Sequence, residues 1–202
     1  HVRSRRQRQM CIRDRARRQA IVDEALEVFS RTGFRGGSLR EIAKRVGVTP
    51  AGLLHHFADK EELFAEVLRQ RDEKVRQAAG DPAEHTLLAQ ARRVVAHNRA
   101  SRGLTSLYAI VSAEATDSEH PSHADFAARY RDRATEAEAI LRLGQADGEV
   151  RDDIDPALAA RLISGVMDGI QLQWLLDDTV DMVALFDEFV RGYLLPPAEP
   201  RR

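Results

Sequence analysis

Residues 38–57, SLREIAKRVGVTPAGLLHHF, constrain this chain more than any other stretch. Ser38 is a preferred N-cap and Glu41 follows three residues later, a spacing that lets the pair satisfy two orphaned backbone donors and start a helix. Leu39, Ile42, Ala43 and Val46 then fall at i, i+3, i+4 and i+7, one apolar stripe, with Arg40, Lys44 and Arg45 on the polar side. Gly47 supplies the end of that helix. Two residues later Thr49 and Pro50 are the N-cap and first-turn residues of a second one. Leu53 and Phe57, four apart, pack inward and leave Thr49, Pro50, Gly52, His55 and His56 facing out. Two short helices meeting through a glycine turn make a helix-turn-helix, whose second helix fits a DNA major groove; a plain helical hairpin in a structural bundle is the alternative.

From about Arg17 to Leu68 the chain resembles the N-terminal domain of TetR-family transcriptional regulators. The matching residues are a first helix ending in Thr32-Gly33-Phe34, then Ser38, Ile42-Ala43, Gly47-Val48-Thr49, His56-Phe57, Lys60 and Leu63. The resemblance implies an all-α fold: an N-terminal three-helix DNA-binding domain with a helix-turn-helix, then a C-terminal helical bundle for ligand binding and dimerisation. There is one departure. Where the family often carries Gly-Thr-Leu-Tyr in the recognition helix, this chain has Ala51-Gly52-Leu53-Leu54, so the usual phosphate-contacting tyrosine is missing.

The first helix is expected over about 17–31, where Val22, Ala25, Leu26 and Phe29 form its buried stripe, and it stops at Gly33. Residues 1–15 (HVRSRRQRQMCIRDR) hold six arginines and one aspartate and show no apolar period. They resemble translated linker sequence and are read as a disordered or artefactual tail; a basic arm reaching into a minor groove is the alternative. Residues 1–76 carry 18 Lys and Arg against 11 Asp and Glu, although the net charge of the whole chain is −1. A basic front and an acidic rear imply different partners. With one cysteine, Cys11, no disulfide framework is possible in one chain, and no apolar run reaches membrane-spanning length, so a cytoplasmic protein that avoids the membrane is expected. The expected domains are a tail (1–15), a DNA-binding domain (16–58) and a helical effector-binding and dimerisation domain (59–202).

Asp59 and Glu62 repeat the capping spacing at the head of a helix running to about residue 79, long enough to join the two halves. Lys60, in its first turn, opposes the helix dipole, which a DNA phosphate explains better than solvation does. Beyond Gly80-Asp81-Pro82 helices are expected at about 83–100, 103–116, 122–146, 156–176 and 180–194, with no strand. The 156–176 helix is apolar nearly all round. Leu158, Leu162, Gly165, Gly169, Leu172 and Leu176 recur at alternating fours and threes, and the last helix adds Met182, Phe186, Phe189 and Tyr193. These ten residues are expected to pair with their copies across a two-fold axis, a four-helix dimer interface; core helices of a monomer are the alternative.

For DNA the expected contacts are Ser38, Arg40, Lys44, Thr49, Pro50, Ala51, Gly52, His55, His56 and Lys60. Two copies reaching successive major grooves need a palindromic operator with half-sites about 34–36 Å apart. The resemblance also implies a small-molecule effector pocket, for which His97, Tyr108, Phe126, Tyr130, Gln171 and Trp174 are the candidates, although an ordinary core or interface place is the reading favoured for each. His120 and His123 beside Glu119 and Asp125 lack a complete ligand set, so no metal or other cofactor is expected. No nucleophile elbow or phosphate loop marks an enzyme. These features together lead to a homodimeric, ligand-responsive transcriptional repressor rather than an enzyme. The alternatives are an all-helical small-molecule-binding protein or enzyme without DNA regulation, and an architectural DNA binder, against which the weak positive charge of residues 16–76 speaks.

Overall fold

The computed structural model describes residues 2–80 and 87–197. Among them are nine α-helices: α1 (Val2–Gly36), α2 (Leu39–Val46), α3 (Pro50–Leu54), α4 (Lys60–Ala79), α5 (Leu87–Ala100), α6 (Arg102–Glu114), α7 (His123–Ala146), α8 (Pro156–Leu176) and α9 (Met182–Phe189). The last runs into a π-helical turn, Val190–Leu194. The fold is all-α. The expected bounds hold within two residues for α4, α6, α7 and α8, and α2 and α3 begin directly after their expected caps; residues 83–86 of the expected fifth helix lie outside the described residues.

The segment read as a disordered or artefactual tail, residues 1–15, is helical over its described part. Its described residues continue α1 back to Val2, and those from Gln9 to Arg15 are exposed. The reason is local: 2–20 contain no glycine or proline and are rich in arginine and glutamine, so a helix anchored from Ile21 onward by core packing propagates outward at little cost. At its other end α1 breaks at Gly33, whose φ of 68° and ψ of −172° are not helical.

Capping side chains set the short helices. Ser38 Oγ accepts from the Glu41 amide at 3.4 Å, Thr49 Oγ1 from the Gly52 amide at 3.0 Å and Asp59 Oδ1 from the Glu62 amide at 2.7 Å. The reciprocal halves of the two capping boxes depart from expectation. Glu41 turns to Arg45 at 2.7 Å, and Glu62 accepts from the amide of Ala58, one residue ahead of the cap, at 2.6 Å. Gly47 closes α2 in the left-handed region, φ 74°, which leaves only two residues before Pro50.

One core runs from the helix-turn-helix into the bundle. Ile21, Val28 and Phe29 of α1, Ile42 of α2, Leu53 of α3 and Leu63, Phe64 and Val67 of α4 are buried together with Leu107 and Val111 of α6. Phe64 meets Phe29 edge-on at 5.0 Å and Phe34 at 4.9 Å. Two further clusters lie deeper in the bundle. Leu141, Val150, Ala159, Ile163 and Leu194 join α7, α8 and the π turn, and Val95, Ile170, Trp174, Met182 and Phe186 join α5, α8 and α9.

Glu66 fastens α4 to α1, bonded to Arg69 at 2.8 Å and Gln70 at 2.8 Å and paired with Arg18 of α1 at 3.2 Å. The bonds from Arg69, Gln70 and Arg18 outweigh its burial and hold its carboxyl down at about 2. A depressed carboxylate contributes stability above its unfolded value, and that contribution is lost as pH falls toward the folded one. Acid titration of the melting midpoint therefore falls between about pH 5 and pH 2 more steeply in the wild type than in Glu66→Gln.

Candidate nucleic-acid interface and its control site

The polar face left by packing α2 and α3 onto the core forms one surface. Arg40 and Lys44 of α2 are exposed, as are Thr49, Pro50, Ala51 and His55 at and along α3. Ser38 and Gly52 are half-buried beside them. Ser38 and Thr49 already accept a capping hydrogen bond each, so their hydroxyl protons remain to donate to a phosphate. A Cβ at position 52 would stand 3.2 Å from the capping Thr49 hydroxyl.

Two expected contacts sit elsewhere than on the open face. The His56 side chain is only 12 % exposed and lies 3.5 Å from Asp14 of α1. Lys60 turns toward the α1–α2 turn, where its Nζ donates to the Arg35 carbonyl at 3.2 Å and stands over the Phe34 ring at 4.6 Å. Burial lowers its basicity, while Glu61 and Glu114 oppose the shift. Leu54, noted in the sequence only as a departure from the family's tyrosine, is a surface residue outside the expected contacts. It is 46 % exposed on the reading helix, at the position where the resemblance places a tyrosine. The readable signal is an apolar residue adjoining the buried Leu53 in a helix too short to bury both.

The turn between α1 and α2 is held from the bundle. Glu114, the last residue of α6, accepts from the Phe34 amide at 2.7 Å and the Arg35 amide at 3.4 Å. At Gly33 a Cβ would stand 2.3 Å from the Glu114 carboxylate, so both the positive φ and the close approach require glycine. His120 is buried behind this contact with its ring 5.2 Å from that of Phe34. Its Nδ1 accepts from the Ser122 amide at 3.1 Å, which puts the proton of the neutral ring on Nε2, 3.7 Å from Glu114. Burial lowers its pKa and keeps it neutral despite the opposing pull of Glu114. Farther back along α6, Ser106 donates to the Ser30 carbonyl at 2.7 Å, a second grip on α1. Arg35 also pairs with Asp117 just beyond α6.

Midway along α6 a polar cluster lies inside the bundle. Tyr108 is buried against Phe126 at 5.5 Å, with Arg71 stacked on its ring at 4.3 Å and Arg133 donating to its hydroxyl at 3.1 Å. Tyr130 donates to Asp168 at 2.5 Å; burial raises both groups, and the bond to Asp168 raises the tyrosine further. His97, whose pKa is lowered by burial and by the charge of Arg71, belongs to the same region. Four of the six effector candidates are thus brought together. Trp174 packs separately with Val95, Met182 and Phe186 under Arg102, and Gln171 is buried one turn before it. Arg71, Arg133 and Asp168 join the cluster without having been expected there. Arg71 occupies the apolar stripe of α4 between Leu68 and Val75, a period-breaking charge that marks a buried partner. A solvent-open groove of about 560 Å3 between α4 and α7, lined by Asp59, Glu61, Leu68, Asp125 and Arg129 among others, includes none of the six candidates.

Comparison with known proteins now fixes the family. A profile described as bacterial regulatory proteins, tetR family, matches residues 21–67, and one described as BetI-type transcriptional repressor, C-terminal, matches 83–195. The chain belongs to the TetR family of transcriptional regulators. It is similar to the HTH-type transcriptional regulator UidR of Escherichia coli K12, 28 % identical over 178 residues that cover 87 % of this chain and 88 % of UidR. It is also similar to the A-factor receptor protein of Streptomyces griseus, 29 % identical over 76 % of this chain and 53 % of that one. Among solved structures, a putative transcriptional regulator from Saccharomonospora viridis in complex with choline superposes with a TM-score of 0.74 at 21 % identity, covering 89 % of this chain and 97 % of that one. AibR in complex with isovaleryl coenzyme A and operator DNA superposes at 0.68, with 24 % identity over 89 % and 99 %. As a TetR-family member the chain is a DNA-binding regulator and not an enzyme. Among the described residues no helix is long and apolar enough to cross a membrane.

Gly33→Ala is expected to lower stability by more than about 1 kcal/mol, because alanine is strained at positive φ and displaces the Glu114 carboxylate. For a domain this size that is a fall of more than about 2 °C in the melting midpoint, readable by calorimetry.

Proposed function

We propose that this TetR-family regulator is a homodimeric repressor, released from a palindromic operator by a small-molecule effector held in the C-terminal bundle. The observation that carries the reading is the outer seam of α8. Leu158, Leu162, Leu172 and Leu176 are between 46 % and 82 % exposed on one face of an otherwise packed helix. Gly165 and Gly169 lie between them, and a Cβ at either would meet only open space. Small residues flanked by leucines at a 3.5-residue period suit close approach of a second helix, and exposed apolar area of this kind marks an interface.

The part of the expected seam contributed by α9 is corrected. Met182 and Phe186 are fully buried in their own subunit against Val95, Ile170 and Trp174, and Phe189 stacks on Tyr193 at 5.5 Å beside the π turn. The spacing does mark a buried stripe, but that stripe faces α5 and α8. The outer face of α9 offers Leu185 instead, which is 42 % exposed.

Pairing through α8 holds two reading heads at a fixed separation, which selects two half-sites one helical turn apart. The α6 contacts at Ser30, Phe34 and Arg35 support the coupling: an effector that shifts α6 or α4 changes the relative orientation of the heads. If it prefers the released arrangement, operator affinity falls by the same factor. Structural neighbours bound to choline and to isovaleryl coenzyme A favour a small organic effector.

Sedimentation of the wild type is expected to give a dimer, and Leu162→Glu a monomer that binds a half-site as before but loses the preference for the palindrome. A wild-type monomer that binds palindrome and half-site alike overturns the reading. Removal of one exposed cation by Lys44→Ala should reduce the slope of log K against log salt by about 1 and weaken all sequences alike.

A further inference from the structure

Arg71 is 3 % exposed, and its Nε has no hydrogen-bond partner. Its Nη1 donates to Asp72 at 3.2 Å and its plane lies on the Tyr108 ring. Nε2 of His97 is likewise buried and unpartnered. Both atoms are buried and unmet, and the Arg71 charge acts on the His97 ring, so the pair carries a desolvation cost that a hydrogen-bond partner from outside recovers. The charge around them states its sign. Arg71, Arg129 and Arg133 face two carboxyls; Asp72 is shared between Arg71 and Arg129, and Asp168 is bonded by Tyr130. Burial also pushes the Asp168 carboxyl toward its neutral form, which deepens the cationic excess, and it keeps the His97 ring neutral with one proton to place.

We propose that Arg71 Nε and His97 Nε2, with the Tyr108 ring beside them, are the receptor for the carboxylate of a small organic acid. The inference rests on the reading of the bundle as the effector domain and names the chemistry of its ligand. A carboxylate accepts the Nε proton of Arg71 through a charge-assisted bond and, in the tautomer that carries its proton on Nε2, that of the neutral His97 ring, which removes both unmet donors and the excess charge together. A cation or neutral molecule leaves the guanidinium field uncompensated. The position of the receptor matters as much as its charge. Arg71 is on α4, Tyr108 on α6 and His97 on α5, so an anion there draws on the two helices that support the reading head.

The test uses the full chain with acetate, hexanoate and benzoate as probes and acetamide, hexanamide and benzamide as neutral matches. Melting midpoint and titration calorimetry are read for the wild type, Arg71→Met and His97→Leu. Arg71→Met replaces a buried cation with an apolar chain and is expected to fold; His97→Leu supplies the same comparison if it does not. At least one carboxylate should raise the wild-type midpoint while its amide does not, and either substitution should weaken that carboxylate about ten- to a hundredfold. No response to any of the three acids, equal binding of acid and amide, or wild-type binding by both variants overturns the proposal. Operator titration is scored apart. Carboxylate binding without loss of operator affinity keeps this receptor and removes its role in release; release by a neutral compound alone keeps the regulator and removes the receptor.

Discussion

The carboxylate of Glu114 is the contact on which the arrangement depends. It takes the amide of Phe34 at 2.7 Å in a turn that has given up its helical hydrogen bonds at Gly33, and so ties the end of a bundle helix to the backbone that orients the reading head. An unmet amide buried at that turn would cost on the order of 1–3 kcal/mol, so the head and the bundle are locked by necessity rather than by shape alone. Gly33 leaves the space, His120 closes the back and Lys60 binds the carbonyl of Arg35 on the other side. Separate side chains thus define one junction. Under the proposed function this junction is the path by which an event in the bundle would reach α3.

The same helix carries both ends of the path. Tyr108 sits roughly one and a half turns before Glu114 on α6 and is clamped between Arg71 and Arg133, while Ser106 grips α1. A rigid element touching two sites transmits displacement without a chain of intermediates, provided that it has two packings. Asp72 ties the same region together, since it holds Arg71 of α4 and Arg129 of α7 at once. Under the proposed function such coupling is reciprocal in free energy: an effector that weakens operator binding is itself bound more weakly by the operator complex.

Much of this fold is legible in the amino-acid sequence alone. Ser38, Gly47, Thr49 and Pro50 are punctuation whose meaning is local, and α2 and α3 begin where such signals put them. The 3.5-residue period of α8 marks the face on which Leu158, Leu162, Leu172 and Leu176 stand exposed. What escapes is direction. Met182 and Phe186 have the right spacing for an interface, but periodicity says only that a face is buried and never against what. His56 and Lys60 read as outward-facing because the resemblance and the charge favour phosphate, yet Asp14 and the Arg35 carbonyl lie within their reach, and such partners are 25 to 42 residues away in sequence. The Glu114 latch is 80 residues from Phe34 and has no sequence signature beyond a glycine whose reason lies in another helix.

Hydrogen exchange at the Phe34 amide tests the latch directly. In the wild type this amide should be protected like those of the buried helices, and Glu114→Ala should remove its protection while leaving the capped amides of Glu41 and Gly52 unchanged. Equal exchange at Phe34 in the two proteins would contradict the account.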